Sequence, residues 1–464
     1  LNLASKIKNY KQREHTLPAV KDDFVLDSIF YHDISEENLD LVKARANIQV
    51  GKKYSSKEII NGIDKAMGTN LFNQITYDGG IVEGKKELHL TGHERSMNIV
   101  KGSLHYDTYR GVGLMVNYTG RNLVGKSSRI IFTADIAEQP RLRLQYQKQF
   151  GPDKTWWWRS EAMAEFLEQK FYYEGEVADA WNSNYFQFDN QFNKNLNSLH
   201  SYAGIGLSYE LSGMNPKNNT ELNENLIERY RFDNLEIDLH YLFSKMDQVY
   251  YPNKGTFVRV GVARSLIHDV DVDFSDDNTD DINGPTNGFT KAMLDFEHRW
   301  AFSDKVTGIL GANAAFIFED KLESDDYWFS DYGYAAKYSM GGIVTAPRKG
   351  SYVFPGLHED ELFVNQMMRL NLEVPINPFS KFYFSPQVTL APVGFRGVND
   401  YIENAFSPVG DWSYGNEPSS VVSAGIKVGY HSFLGPLNFD ISYVNDVNKI
   451  RVFFCVGILF NRSN

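Results

Sequence analysis

A chain of 464 residues, 42% hydrophobic and 14% aromatic with a net charge of −12, is longer than one ordinary soluble domain and implies one large domain plus a smaller one. The acidic balance excludes nucleic acid as the main partner, since phosphate binding needs a basic surface. The single cysteine, Cys455, excludes an intrachain disulfide and a cysteine-built metal site. No run is long and apolar enough for a membrane-spanning helix, which leaves a β-barrel open because its signal per strand is weak.

In chain order, residues 1–21 are polar, basic and closed by Pro18, and read as a linker from a missing upstream region. The start on Leu1, without a signal-peptide pattern, is read as that of a fragment or processed product. FVLDSIFYHDI (24–34) has a strand pattern, and SEENLDLVKARA (35–46) a helical one. Ser55 and Glu58 make a capping-box pattern ahead of Ile59, Ile60, Ile63 and Met67, in a helix that stops at Gly68. FNQITYD (72–78) and KKELHLTGH (85–93) follow as two strands around a glycine-containing turn. Residues 22–95 thus read as one small α+β domain in the order β-α-α-β-β.

From about residue 98 onward, strand follows strand. Runs with period-two alternation start near 98, 110, 127, 139, 155, 176, 199, 230, 255, 288, 306, 362, 381, 419, 435 and 450. Sixteen is the even number a closed antiparallel barrel requires. Leu235, Ile237, Leu239, Tyr241 and Phe243 oppose Glu236, Asp238 and His240. Leu362, Val364, Met368, Leu370, Leu372 and Val374 oppose Asn365, Arg369, Asn371 and Glu373. In the last strand Ile450, Val452, Phe454, Val456, Ile458 and Phe460 share one face.

Alternation alone fits a sandwich as well as a barrel. The connections decide between them. Those after even-numbered strands are short (TGRNLVGK, FSDK, INPFSK, HSFLGP), whereas several after odd-numbered strands are long: 212–229, the acidic 268–287, about forty residues at 321–361, and 395–418. Short turns at one rim and long loops at the other are the pattern of an outer-membrane barrel over 96–464, with the small domain at the short-turn, periplasmic rim. Trp156, Trp157, Trp158, Tyr250 and Tyr251 fall near strand ends, where interfacial aromatic girdles belong. The last strand then faces lipid.

A small β-α-α-β-β domain feeding sixteen strands resembles the BamA/TamA-type superfamily of outer-membrane proteins, in which a POTRA domain precedes the barrel. The segments that carry the resemblance are FSKMDQVYYPNKGTFVRVGV (243–262), with a Tyr-Pro-x-x-Gly turn; GPLNFDISYV followed by VFFCVGILF; and SMGGIVTAPRKGSYVFPGLHEDEL (339–362), where the family has its inward-folded loop six. The resemblance implies an assembly signal ending on Phe460 and a seam between the first and last strands, near Gly457, that opens sideways to lipid. It departs at loop six, where the family's Val-Arg-Gly-Phe/Tyr is Phe354-Pro355-Gly356-Leu357, with no arginine before the glycine. Arg348 or Lys349 is the expected substitute, set against Glu373 or Asp440. A single POTRA with this loop looks most like the C-terminal half of patatin-like phospholipase fusions.

These residues carry no G-x-S-x-G serine turn, no H-E-x-x-H and no Walker loop, so no catalytic residue, metal or cofactor is expected in them. GKSS (125–128) lacks the upstream glycine of a phosphate loop. The aspartates at 269, 271, 273, 276, 277, 280 and 281 lack EF-hand spacing, and composition favours a solvated acidic loop over a Ca²⁺ site. Glu236, Asp238, Arg369, Glu373 and Asp440 are placed in the lumen, where they either pin loop six or line a polar path. The expected function is an outer-membrane translocator or anchor in a Gram-negative bacterium. Its partners would be outer-membrane lipid and a polypeptide cargo, or a covalently linked upstream domain, met through the POTRA. A stand-alone assembly factor and a passive pore or receptor are the alternatives.

Overall fold

The structure, a computed structural model, describes residues 23–69, 71–196, 200–217, 227–247, 252–275, 280–320, 337–343, 348–379, 381–407 and 409–458. The linker 1–21, Tyr250, Tyr251, Asp276, Asp277 and Phe460 lie outside the described residues. The chain divides into two compact units, Leu1–Arg95 and Ser96–Asn464.

In the first unit the run 24–34 is split in two. β1 (Asp23–Val25) pairs antiparallel with β3 (Lys53–Ser55), while β2 (Ser28–His32) joins a sheet of order β2–β5–β4 with β4 (Phe72–Val82) and β5 (Lys85–Glu94). β2 and β5 are parallel, and β5 and β4 antiparallel. Helices α1 (Glu36–Ala46) and α2 (Ser56–Met67) supply Leu41, Val42, Ile59, Ile63 and Ala66 to a core that includes Phe72, Leu88 and Leu90 of the sheet. At the start of α2 both reciprocal capping-box bonds form: Glu58 N–H donates to Ser55 Oγ at 3.3 Å, and Ser55 N–H to Glu58 Oε2 at 2.8 Å.

The second unit is a closed antiparallel barrel of sixteen strands. They are β6 (Asn98–Asp107), β7 (Gly111–Arg121), β8 (Ser128–Ala137), β9 (Arg141–Phe150), β10 (Trp156–Tyr173), β11 (Glu176–Asn195), β12 (Ser201–Pro216), β13 (Ile227–Met246) and β14 (Gly255–Phe274). The short β15 (Ile282–Pro285) precedes β16 (Phe289–Ser303), which is followed by β17 (Val306–Glu319). A long connection holding β18 (Tyr338–Met340), β19 (Ser351–Tyr352) and β20 (Leu362–Val364) leads to β21 (Gln366–Glu373), continued by β22 (Ile376–Phe379). β23 (Phe382–Gly394), β24 (Ser419–Ser432), β25 (Gly435–Val444) and β26 (Lys449–Val456) complete the wall. Each strand starts within a few residues of where its alternation predicts.

The outer face is apolar: Val112, Ile136, Leu239, Ile426 and Ile450, from different strands of the wall, are all exposed. Exposed apolar surface on this scale has no stable place in water and suits hydrocarbon. Trp158 shares that face, but Trp157 does not belong to a girdle. It points inward, where its indole N–H donates to Asn195 Oδ1 at 3.0 Å.

The inner face is not uniformly polar. The alternation from Leu362 to Val374 breaks at Asn365, whose N–H donates to Gly394 O and whose carbonyl accepts from Ile317 N–H. The barrel strand therefore begins at Gln366 rather than at 362. Leu362 and Val364 are buried inside the barrel, while Met368, Leu370 and Leu372 face outward. Inside, β18, β19 and β20 form a small sheet of their own, order β19–β18–β20. Its Tyr338, Met340 and Tyr352, together with Phe354 and Leu357, pack on inward residues of the wall that include Ile317, Met367, Val393 and Val421. Each such side chain contributes roughly 1.5–3 kcal/mol on leaving water. The long connection is therefore a folded plug with a hydrophobic core.

Leu239, 64% exposed in the middle of β13, tests the lipid-facing assignment. Leu239→Arg is expected to destabilise the barrel by about 2–4 kcal/mol in lipid vesicles, read from denaturant titration, and Leu239→Phe by much less. Equal stability of the two would place this face out of hydrocarbon.

Candidate functional site: the seam and the inward loop

The first and last strands close the barrel with little backbone pairing. Between β26 and β6 the described ladder is Cys455–Asp107 and Val456–Tyr106 alone, whereas β25 and β26 pair from Leu437–Val456 through Val444–Lys449. The cause lies in Gly457. Its φ of +91° turns the chain out of the strand, and a Cβ there would come within 2.2 Å of Leu104 O on β6. Only glycine allows this turn and this approach together. Beyond the two pairs, Thr108 N–H donates to Phe454 O at 3.0 Å, and hydroxyls add Thr108 Oγ1 with Phe454 N and O, and Ser103 Oγ accepting from Ile458 N–H at 3.4 Å.

The inward loop spans this weak joint. After β6, Asp107 Oδ1 accepts from Tyr109 N–H and Arg110 N–H and so fixes a tight turn. From that turn Tyr109 Oη donates to Leu357 O at 3.2 Å, and Arg110 Nε donates to Glu359 Oε2 at 3.0 Å. From β26, Arg451 pairs with Glu361 and donates to Gly356 O at 3.0 Å. Residues 356–361 are thereby held by both seam strands at once. Gly356 has φ +90° and is seated against Ser423, Ser442 and Val444, with little space for a Cβ. His358 lies between the rings of Tyr109 and Tyr172. Burial, with Arg451 and Lys170 nearby, lowers its imidazole to about 4, so it is neutral at neutral pH.

The loop's own cations reach a different wall from the one expected. Arg348 pairs with Glu165 of β10 at 3.0 Å, with Asp360 at 3.6 Å, and Lys349 pairs with Asp189 of β11 at 3.0 Å. Neither meets Glu373 or Asp440. Glu373 pairs with Lys427 at 2.8 Å, and Asp440 accepts from Gln387 and Ser442. Glu236 pairs with Lys291 at 2.8 Å, and Arg369 donates to Asn313 Oδ1 at 2.6 Å. Of the five lumen residues singled out from sequence, Asp238 alone comes near the loop's cations, with Lys349 at 4.0 Å. Phe354 and Leu357 are fully buried core residues, and Pro355 is buried beside them. Cys455 is buried on the inner face, its sulfur accepting from Asn438.

Sequence reasoning missed Glu165, Asp189, Tyr109, Arg110, Glu359, Glu361 and Arg451. A usable signal existed in Arg451, an arginine on the inward face of an otherwise apolar closing strand, with the acidic run Glu359–Glu361 available to receive it.

Solved structures with the same architecture can now be set beside this one. BamA from Haemophilus ducreyi lacking POTRA domains 1–3 superposes with a TM-score of 0.62 at 13% identity, over 93% of this chain and 84% of that one. CdiB from Acinetobacter baumannii gives 0.55 at 11% identity, covering 93% and 73%. CdiB from Escherichia coli gives 0.53 at 12% identity, covering 93% and 76%. The chain has the fold of these barrels. No family model matches it, and no curated protein does.

The Arg451–Glu361 pair is open to test. Arg451→Ala leaves a carboxylate buried without its cation, a loss of roughly 3–5 kcal/mol in loop docking. Limited proteolysis of the folded barrel in detergent should then cut within 341–361 in the variant and not in the parent. Unchanged protection would show that the hydrophobic plug alone holds the loop.

Proposed function

We infer that this chain is an outer-membrane barrel of a Gram-negative bacterium that passes or inserts polypeptides through its seam. The observation that carries this reading is the closing joint: among the described residues, two ladder pairs, a glycine turn and a loop latched to both sides. A permanent anchor gains nothing from leaving one joint of sixteen so lightly bonded, since an exposed ladder in hydrocarbon is costly. A joint that opens sideways needs just such a low barrier.

The first unit is read as a POTRA-like periplasmic domain, as the resemblance implies. Residues 96–464 are 369 of the 464, so a match over 93% of the chain must extend into Leu1–Arg95. Strand β4 forms one edge of the three-stranded sheet, and a polypeptide could add to that edge through main-chain hydrogen bonds. Such a mode tolerates many cargo sequences.

Locking the joint tests the reading. Tyr106 and Val456 are ladder partners on the outer face, so Tyr106→Cys with Val456→Cys, in a Cys455→Ala background, places two thiols across the seam. Oxidation should abolish cargo insertion or export in reconstituted membranes, and reduction should restore it. Full activity of the oxidised barrel would exclude seam opening.

The finer, patatin-type reading rests on the resemblance of a single POTRA with this loop-six variant, and the solved neighbours lend it no support. It requires a lipid acyl hydrolase joined upstream. On that reading the native polypeptide, isolated from outer membranes, runs well above 53.1 kDa and labels with a fluorophosphonate probe. An unlabelled band near 53.1 kDa favours the stand-alone assembly factor.

A further inference from the structure

We propose that a row of arginines on the inner wall of β7–β10 is a binding strip for acidic polypeptide segments in the lumen. This deepens the functional reading above and rests on it for the identity of the occupant as a polypeptide.

The row is set by register. Arg121 of β7 faces Arg129 of β8; Arg129 faces Gln147 of β9; Gln147 faces Arg159 of β10; and Arg159 faces Gln191 of β11. All five stand on the inner face, because their neighbours Ile130, Tyr146 and Trp158 occupy the outer one. The turns next to the row are those at 122–127 and 151–155, so the strip lies at the rim where β6 begins.

Guanidinium groups inside proteins are ordinarily matched by carboxylates, whose two oxygens fit the planar fork. Here Arg129 and Arg159 are held chiefly by neutral oxygens. Arg129 Nη2 donates to the Gln147 amide oxygen at 2.7 Å and Arg159 Nη2 to the Gln191 amide oxygen at 2.8 Å. Arg159 Nε is buried without an acceptor, and the carboxylate closest to that guanidinium, Asp189, stands at 4.0 Å. Asp189 is itself engaged by Lys349 and by Gln191 at 2.8 Å. Glu161, one position further along β10, is taken by Gln145 at 2.7 Å and faces Arg143 at 3.6 Å. The local acids are therefore spent. The strip keeps its positive charge inside a chain whose net charge is −12. A cavity lined by Arg159, Gln191, Tyr202, Asp238, Arg259 and Lys349 adjoins it and gives an occupant room.

The occupant is identified by chemistry and position. Adjacent strands lie about 4.8 Å apart, so the cations stand roughly 5 and 10 Å from one another around the wall, and same-face side chains of an extended chain repeat about every 6.8 Å. Two or three carboxylates of one extended segment therefore reach the row together. A lipid headgroup at the bilayer surface does not, because the wall itself separates it from the inner face.

The test uses the full chain in detergent and an octaglutamate peptide with a terminal fluorophore, read by anisotropy. Octalysine with the same dye and sodium phosphate serve as comparison probes. Octaglutamate is expected to bind saturably and more weakly as salt rises. Arg129→Gln and Arg159→Gln should each weaken it about tenfold, as the loss of a charge-assisted hydrogen bond does, and Arg159→Lys should weaken it less. Each variant counts only if it keeps the heat-modifiable migration of a folded barrel. Absence of binding, binding of octalysine equal to that of octaglutamate, or affinity unchanged in both glutamine variants would overturn the strip. Displacement of the peptide by phosphate at equal total charge would reassign it as a small-anion site. Binding is read on the resting barrel, so it is independent of seam opening: a barrel that binds octaglutamate yet works with its seam locked keeps the strip and loses the functional reading.

Discussion

Hydrocarbon offers no water to an open sheet edge, so every backbone N–H and C=O in the wall must find a partner within the wall. The rest of this structure answers to that constraint. Fifteen joints meet it with longer ladders, several of them carrying β-bulges. Among the described residues the sixteenth meets it with two residue pairs, one further backbone bond, a pair of hydroxyls and a latch drawn from elsewhere in the chain. Strength that the ladder lacks is supplied from inside by Arg110 and Arg451, which grip one acidic stretch of the loop from opposite sides of the joint. Such a latch is made of side chains, and side chains can let go without unravelling a strand.

The loop can hold this position because it is a folded object. Its three short strands bury tyrosines, methionine, phenylalanine and leucine against the wall, and the ionic contacts then fix its register. Pro355, not an arginine, precedes Gly356, and the loop's ion pairs lie elsewhere. Arg348 and Lys349 reach outward from the loop to β10 and β11, while Arg451 reaches inward from β26.

The barrel itself was legible in the sequence because period-two alternation survives wherever one face meets lipid, as in Leu235–Phe243. It failed where both faces are buried. Leu362 and Val364 match the alternation of the strand that follows, yet they belong to the plug, and nothing in their spacing marks the change of face at Asn365. The ion pairs were less legible still. Glu165 and Arg348 are far apart in sequence, and their meeting depends on how deep the loop sits, which no local pattern encodes. Glu373 and Asp440 were reasonable partners by charge alone. Within the wall, however, cross-strand neighbours such as Lys427 and Gln387 reach them first. Gly457 could be singled out as a lone glycine in a closing strand, but its contact with Leu104 needed coordinates.

The plug's hydrophobic core draws all its members from Phe289 to Val444. Among the described residues none comes from β6–β14, where Met214, Tyr230, Phe232, Val270 and Val272 form a separate apolar cluster beside buried arginines, glutamines and glutamates. The plug therefore leans by its apolar side on the second half of the wall and reaches the first half through polar side chains, among them Arg348 to β10 and Lys349 to β11. Its two attachments answer to different conditions, because salt screens an ionic contact and leaves an apolar one in place.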